Sequence, residues 1–299
     1  MQLTDFDYDL PEHAIAQTPV EPRDSSKLMV LNRQTQTIDH RIFRDITAYL
    51  RPGDVLVMNT TRVLPARLPA LKLTGGAAEV LLLRQLTPEP PRWRALVGGR
   101  RINVGSTLTF PNSDLTATIT AELEGSEREI EFNQPLSSDL LRQIGEMPLP
   151  PYIHERLTDD ERYQTVYSRE EGSAAAPTAG LHFTPDLMLK LRDQGVLLAN
   201  CILHIGLDTF LPVSEARIED HKIHSERATL TAENAKIINE AKLAGGRIIT
   251  VGTTSTRTLE TAAILSAGGD PADPKASHDI CAWRPVIAFD QDTRLFIYP

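Results

Sequence analysis

The sequence has only two cysteines, Cys201 and Cys281, in 299 residues. Two thiols cannot staple a chain of this size, so a disulfide scaffold is excluded and a reducing, cytoplasmic setting is expected. Long apolar runs are missing as well. The longest, Gly195 to Leu207, holds Asn200 and His204 and is too short to cross a bilayer, so no membrane association is expected. The opening Met1–Asp7 is acidic and has no apolar stretch, which argues against a signal peptide. Internal repeats are absent, and the composition is neither collagen-like nor that of a coiled coil. Positive charge is in deficit: 31 Lys and Arg face 40 Asp and Glu, a formal net charge of −9. That sign speaks weakly against unspecific nucleic-acid binding.

What is present is ordinary globular material, 41% hydrophobic and 24% charged. Such a chain can bury a real core, in one large or two ordinary domains. Its charge is unevenly spread. Residues 61–110 carry Arg62, Arg67, Lys72, Arg84, Arg92, Arg94, Arg100 and Arg101 against only Glu79 and Glu89. Residues 111–160 are strongly acidic, with Arg128, Arg142 and Arg156 as their only cations besides histidine. A basic stripe on an acidic protein suits a phosphate backbone; arginines on solvated strand faces would give the same pattern.

The periodicity changes along the chain. Lys27–Asn32 and the stretch near Ile38 read as a hairpin, Phe43–Leu50 as a short helix, and Asp54–Asn59 as an apolar strand. From residue 62, short strands recur at regular spacing: Ala78–Leu86, Arg92–Val97, Ser106–Phe110, Leu115–Leu123 and Arg128–Phe132. Gly, Pro and Asn punctuate them, which predicts an antiparallel β-barrel over 62–150, closed by a helix over Pro135–Gly145. Beyond residue 180 helices and strands alternate. Thr184 caps a helix that ends at Gly195, Val196–Ile205 is a buried strand, Thr231 caps a second helix, Arg247–Val251 is a strand and Thr256–Leu265 a helix. The expected fold class is a layered α/β domain with a largely parallel sheet, formed by 1–61 and 151–299, with the barrel inserted. Residues 266–293 read as a long irregular excursion.

Three constellations could carry chemistry. Gly172–Phe183 (GSAAAPTAGLHF) is rich in small residues and leads into the Thr184-capped helix. Small side chains let a ligand approach the backbone, although a tight helix crossing would use them too; His182 favours the pocket. The stretch departs from both the P-loop and the dinucleotide fingerprint. Val251–Arg257 (VGTTSTR) lies between a strand and a helix, where α/β folds bind ligands. Its hydroxyls suit a carboxylate or phosphate, and simple helix capping would explain one of them. In Asp220–Glu226 (DHKIHSE), His221 and His224 share a helix face but not a strand face. No Cys pair or His-Glu-x-x-His accompanies them, so no metal is expected; acid–base, hydrogen-bonding and structural roles stay open. His204 follows near the end of a predicted strand. Tyr163, Tyr167, Phe183 and Phe210 either stack a base or fill the core.

Together these residues resemble one family, the S-adenosylmethionine:tRNA ribosyltransferase-isomerases (QueA) of queuosine biosynthesis. The matching stretches are Ile15–Leu28, Arg51–Leu68 (RPGDVLVMNTTRVLPARL), Gly145–Ile153 (GEMPLPPYI) and Glu161–Ser168 (ERYQTVYS). They continue with Gly172–Phe183, Leu203–Val213, His221–Glu226 (HKIHSE) and Gly246–Glu260 (GRIITVGTTSTRTLE). Asp208 stands where the family usually has Gly, and Thr60 where Asp or Asn is usual. The family pattern also runs on past Pro299, through an Asn-Phe-His-Leu-Pro motif that this sequence does not contain.

The resemblance implies an α/β fold with a β-barrel insertion. It implies transfer of the ribosyl part of S-adenosylmethionine to 7-aminomethyl-7-deazaguanine at the tRNA wobble position, with isomerisation to epoxyqueuosine and release of adenine and methionine. It calls for no metal or separate cofactor, since S-adenosylmethionine is the donor substrate. On that reading His182, His204 and His224 are acid–base candidates, with Glu226 as charge partner. Thr253, Thr254 and Ser255 would hold the methionine carboxylate, with Arg257 beside them. Ala175, Pro177, Thr178, Ala179 and Gly180 would line the adenosine, with Tyr167 and Phe183 nearby. Arg62, Arg67 and Lys72 would meet anticodon-loop phosphates, the wobble base entering between barrel and α/β domain. A monomer is expected. Two rivals remain: an RNA-binding protein that uses the barrel alone, and a hydrolase or phosphorylase of free nucleosides.

Overall fold

The alternating stretch Lys27–Asn32 forms β1 and pairs antiparallel with β2 (Thr37–Ile42). The Asn32 side chain closes the turn by accepting from Gln34 N and Thr35 N. A short 3-10 helix, Phe43–Ala48, leads to β3 (Val55–Asn59), which is buried at every position. That is the signature of a central strand covered on both faces. This computed structural model describes the chain apart from residues 124, 207–212, 214, 222 and 274–283. It divides into two units: Met1–Arg62 with Tyr152–Glu170 and Ala176–Pro299, and Val63–Pro151 with Glu171–Ala175.

The chain leaves the first unit through β4 (Thr61–Val63) and enters a closed barrel. The barrel strands are β5 (Arg67–Lys72), β6 (Ala77–Thr87), β7 (Arg92–Gly98), β8 (Thr107–Thr109), β9 (Thr116–Glu122) and β10 (Glu127–Phe132). They pair antiparallel in the order β10-β7-β6-β5-β8-β9. Alternation turns Leu68, Val80, Leu82, Ala95, Ile119 and Ile130 inward to a wholly apolar core. The strand that sequence periodicity does not announce is β5. Pro69 interrupts it, at an exposed position where Leu68 and Ala70 on either side still point inward. Helix α1 (Ser138–Ile144), capped by Ser137, adds Leu141 to this core. Gly145 ends it, and a Cβ there would sit 2.0 Å from the Pro65 carbonyl oxygen.

The return strand is β11 (Glu170–Ser173). The α/β unit continues with α2 (Pro185–Asp193), β12 (Leu197–Leu203), β13 (Glu226–Leu230), α3 (Ala232–Leu243), β14 (Ile248–Val251), α4 (Gly252–Ser266) and β15 (Phe289–Thr293). Thr184 and Thr231 cap α2 and α3 by accepting from Leu187 N and Asn234 N. The sheet order is β14-β3-β12-β13-β15. Its core, β14-β3-β12, is parallel, and β13 and β15 extend it as an antiparallel wing. The fold is therefore α/β with an inserted antiparallel barrel. Val55, Val57, Ala199 and Cys201 pack with α3 and α4 on one face of the sheet. Leu56 and Met58 pack with α2 and Phe183 on the other.

Two expectations give way here. Residues 266–293 contain a strand, β15, whose sequence Phe-Asp-Gln-Asp-Thr carries almost no apolar signal; pairing with β13 supplies what the pattern lacks. Helix α4 begins four residues before Thr256, because Gly252 turns the chain at φ +85° and the following hydroxyl residues already belong to the first turn.

Candidate functional site

Strands β3, β12 and β14 run parallel, so Asn59, Leu203 and Val251 end them at one edge of the sheet. This carboxyl edge is where α/β sheets receive ligands. Glu226 opens β13, which runs the other way, and so reaches the same edge. Asn59, fully buried, ties two strand ends together. Its Nδ2 donates to Leu203 O at 3.0 Å, and its Oδ1 accepts from Leu203 N at 3.1 Å and Thr61 N at 3.2 Å. Thr60 donates its N–H to Cys201 O at 3.0 Å. The sequence signal for Asn59 was there to read: an amide closing an otherwise apolar strand.

The small-residue stretch meets this edge. Thr178–His182 forms one 3-10 turn. Ala179 packs on Gly252, where a Cβ would come within 3.1 Å of the Ala179 Cβ. Beneath the turn lies Tyr167. A Cβ on Gly180 would stand 2.0 Å from the Tyr167 hydroxyl and 2.8 Å from Thr165 Cγ2. Burial pushes the Tyr167 phenol pKa up, so it stays protonated. Its hydroxyl has no hydrogen-bond partner among the described residues. Three separated motifs (ERYQTVYS, PTAGLHF and VGTTSTR) therefore interlock in one unit. Pro177 is buried and Thr178 exposed, while Ala175 belongs to the segment assigned to the barrel unit. Phe183 is core, 1% exposed, and stacks edge-on against Phe43 with ring centres 5.0 Å apart.

His182 is half-buried. Its Nδ1 lies 2.8 Å from the Ser26 hydroxyl and its ring 5.0 Å from that of Phe43. Burial lowers its pKa below the usual 6.5, so the imidazole is neutral at pH 7. Ser26 and Phe43 were not singled out from sequence; neither residue type signals a role without the contact.

A second group lies on the α4 face. Glu226, 5% exposed, is paired with Arg257, 7% exposed. Its other oxygen accepts from Gly206 N at 3.1 Å and stands 3.1 Å from His224 Nε2. Arg257 also donates to His224 O at 2.9 Å and Thr293 O at 3.0 Å. Burial lowers the Arg257 pKa, and the Glu226 carboxylate opposes that shift. Among the residues proposed from sequence to bind substrate, Arg257 is thus an internal strut. Ser255 is internal too: it is fully buried, with its hydroxyl 3.6 Å from Cys201 Sγ. Thr256, Thr258 and Thr261 donate to the carbonyls of Gly252, Thr254 and Arg257, four residues back. The helix itself absorbs most of this hydroxyl run. Thr253 remains exposed, and Thr254 Oγ1 is buried with no partner among the described residues.

His204 does not join Glu226. Its N–H donates to Arg227 O at 3.0 Å, which places it opposite Arg227 in the ladder. Cross-strand neighbours share a face, so His204 lies with Arg227 and Asp290, and Glu226 points the other way. His221 is held by Glu215, Nδ1 to Oε2 at 2.8 Å. The cations expected to meet tRNA all have internal partners. Arg62 is paired with Glu161 and donates to Ser168 Oγ at 3.1 Å, Arg67 lies 3.6 Å from Glu79, and Lys72 Nζ donates to Arg100 O at 3.0 Å. Asp208 lies outside the described residues. Among the described residues no group of three or more His, Cys, Asp and Glu is placed to hold a metal ion, and no helix is long and apolar enough to cross a membrane.

The chain is similar to several known proteins. The S-adenosylmethionine:tRNA ribosyltransferase-isomerase of Symbiobacterium thermophilum is 52% identical over 266 residues, covering 88% of this chain and 77% of that protein. The protein of the same name from Thermosipho africanus is 53% identical over 266 residues, covering 89% and 78%. The crystal structure of the S-adenosylmethionine tRNA ribosyltransferase of Thermotoga maritima is 34% identical, with a TM-score of 0.46 over 99% of this chain and 79% of that one. The sequence profile of the queuosine biosynthesis proteins matches residues 3–299. A match over that span, with half the residues identical in two relatives, means that the chain belongs to the queuosine biosynthesis protein family.

Proposed function

We propose that this protein is an S-adenosylmethionine-dependent tRNA ribosyltransferase-isomerase. It moves the ribosyl group of S-adenosylmethionine onto 7-aminomethyl-7-deazaguanine at the wobble position, forms epoxyqueuosine and releases adenine and methionine. The observation that carries the reading is the interlock of Tyr167, Ala179–Gly180 and Gly252 at the carboxyl edge of the sheet, in a chain of this family.

The sulfonium acidifies the protons on the ribosyl 5′ carbon, so the first requirement is a neutral base beside it. His182 meets it: with Nδ1 on the Ser26 hydroxyl, Nε2 takes the proton. Adenine leaves more readily once protonated, and the attacking amine must be neutral. His224, whose Nε2 lies 3.1 Å from the Glu226 carboxylate, is the proton donor. Arg257 and the Gly206 amide fix that carboxylate. Thr253 and Thr254 are left to hold the methionine carboxylate at the start of α4. Ala179 and Gly180 offer backbone to the adenosine, and Tyr167 supplies a protonated hydroxyl below them. S-adenosylmethionine serves as substrate, and the scheme needs no metal or redox group.

The test is incubation with S-adenosylmethionine labelled in its ribose, with and without tRNA carrying the precursor base. Label should enter the tRNA, and adenine should appear only when that tRNA is present. Adenine release without RNA would indicate a nucleoside hydrolase. Binding of tRNA with no transfer of label, and no effect of S-adenosylmethionine on affinity, would indicate a binding protein.

A further inference from the structure

The arginines of the barrel are of two kinds. Three of those on its strands are neutralised across the sheet, while Arg84 on β6 is exposed without a carboxylate among the described residues and Arg128 on β10 donates to the Gly125 and Glu127 carbonyls. Arg67 stands 3.6 Å from Glu79, Arg92 Nε donates to Glu131 at 2.9 Å, and Arg94 is paired with Glu127. Much of the basic stripe is thus cancelled by acids of the same barrel. Arg100 and Arg101, between β7 and β8, stand side by side on one loop. Both are exposed, and neither has an ion-pair partner among the described residues.

The loop that displays them is pinned. Ile102, the next residue, is 6% exposed in the barrel core. Gly99, just before them, has φ +140°, and a Cβ there would lie 2.6 Å from Ile102 Cδ1 and 3.5 Å from Ala78 Cα. Farther on, Asn103 N donates to Ser106 Oγ and Ser106 N to Asn103 O, both at 3.0 Å. Gly105 N donates to Ile119 O at 2.8 Å and Ile119 N to Ser106 O at 3.0 Å. Lys72 Nζ reaches Arg100 O at 3.0 Å and brings a third cation to the same end of the barrel. Arg101 itself has a φ of 56°. Left-handed backbone is strained for a non-glycine residue, and it persists only where the surroundings impose it. A plain connector would place Gly or Asn there.

From this the geometry points to Arg100, Arg101 and Lys72 as a clamp for RNA phosphates at the barrel end formed by the β5–β6 and β7–β8 connections. The inference rests on the reading that the chain acts on tRNA, and it names the surface. The guanidinium fork matches phosphate oxygens in pairs, and cations on a pinned loop lose little freedom on binding. Arg67, Arg92 and Arg94 would first have to give up their carboxylates. Leu73 and Val104, 74% and 57% exposed in the same two connections, offer apolar contact beside the cations. An anionic bilayer would fit that mixture as well, so it is an arm of the test.

The experiment measures the Kd of the full chain for precursor tRNA between 50 and 200 mM KCl. It compares the wild type, Arg100→Ala with Arg101→Ala, and Arg92→Ala as a paired-arginine control. Each lost phosphate contact removes about 0.7–0.9 from the log–log salt slope, so the double variant should show about a tenfold smaller rise in Kd across that range. Arg92→Ala should keep the wild-type slope. An unchanged slope in the double variant, or equal flattening in Arg92→Ala, overturns the clamp. Loss of binding to vesicles of phosphatidylglycerol and phosphatidylcholine, with tRNA affinity intact, overturns it in favour of a membrane surface. Wild-type label transfer, run on the same preparations, keeps the two readings apart. If it fails, the ribosyltransferase assignment falls; if it succeeds while the slopes agree, only the clamp falls.

Discussion

The two units place their polarity in opposite ways. Among the described residues, every buried polar or charged side chain except Ser173 lies in the α/β unit: Asp54, Asn59, Gln164, Glu226, Arg257 and several hydroxyls. The barrel strands bury no whole polar side chain, only single atoms such as Arg67 Nε, Trp93 Nε1 and Arg128 Nε, and carry their charges outside, several of them paired across the sheet. Buried polar groups are expensive unless satisfied. A unit that keeps them at the carboxyl edge of its sheet is maintaining a site. A unit that excludes them is a scaffold whose only chemistry is on its surface.

That contrast breaks most easily at His182. If the α/β edge is a site rather than a packing joint, His182→Ala should lower turnover by about 10²- to 10⁴-fold, the usual worth of a positioned acid or base. Thermal stability should fall by no more than about 1 kcal/mol, since the ring is only half-buried. In the wild type, the acid limb of the pH–rate profile should fall below pH 6.5, because burial depresses the imidazole. Wild-type turnover in the variant would return PTAGLHF to the status of a tight crossing.

The buried pair separates site from scaffold more finely. Glu226→Leu leaves the Arg257 guanidinium uncompensated inside the protein and should cost about 3–5 kcal/mol in denaturant unfolding. Pairing Glu226→Leu with Arg257→Met should restore most of that stability, because an apolar pair of similar volume tolerates burial better than one stranded charge. Turnover should stay low in the double variant, since His224 has lost its carboxylate. Recovery of both would make the pair purely structural.

How far all this was legible in the sequence follows the same division. Barrel strands other than β5, and capped helices, show, because alternation and Thr-Pro or Thr-x-x caps are local signals. Strand β15 does not show, since Asp290 and Asp292 contribute nothing to an apolar pattern and only the ladder with β13 makes a strand of them. At the site, His182, Glu226 and the Ala179–Gly180 backbone could be named from residue type and context. The partners that define their roles could not. Nothing local says that Ser26 meets His182 from 156 residues away. Nor does it say that Arg257 turns inward to Glu226, or that the ladder puts His204 on the other face. The hydroxyl run after Val251 was misleading for a physical reason: a threonine-rich helix bonds its own carbonyls, so abundance of hydroxyls is not availability.

At the opposite edge of the sheet, polarity is buried without chemistry. Asp54 accepts from Arg51 N at 2.8 Å and from Arg247 N and Nε at 3.1 Å, and is 2% exposed. The Arg247 side chain is the main reason its pKa is held at about 2. A carboxylate depressed in the folded state stabilises it above the unfolded pKa near 4, and that contribution is lost as pH falls through about 2. Arg247 is half-exposed, so the worth is about 1–2 kcal/mol. Asp54→Asn should lose this at pH 7 and flatten the decline in stability between pH 4 and 2, with turnover per folded molecule unchanged. A fall in turnover would mean that the two edges are coupled and the contrast is too simple.

The smallest effect belongs to the barrel exterior. Arg92 and Glu131 are both largely solvated, at 44% and 37% exposure, and face each other in an antiparallel pair. Exposed ion pairs of this kind are worth about 0–1 kcal/mol, because water already solvates both charges and salt screens what remains. Arg92→Ala should therefore move the unfolding midpoint by no more than about 0.5 kcal/mol at 0.15 M salt, and by less at 1 M. A loss above about 2 kcal/mol would mean that the outer charges hold the barrel closed. Its surface would then be structural too, and the division between a polar site and an apolar scaffold would have to be drawn elsewhere.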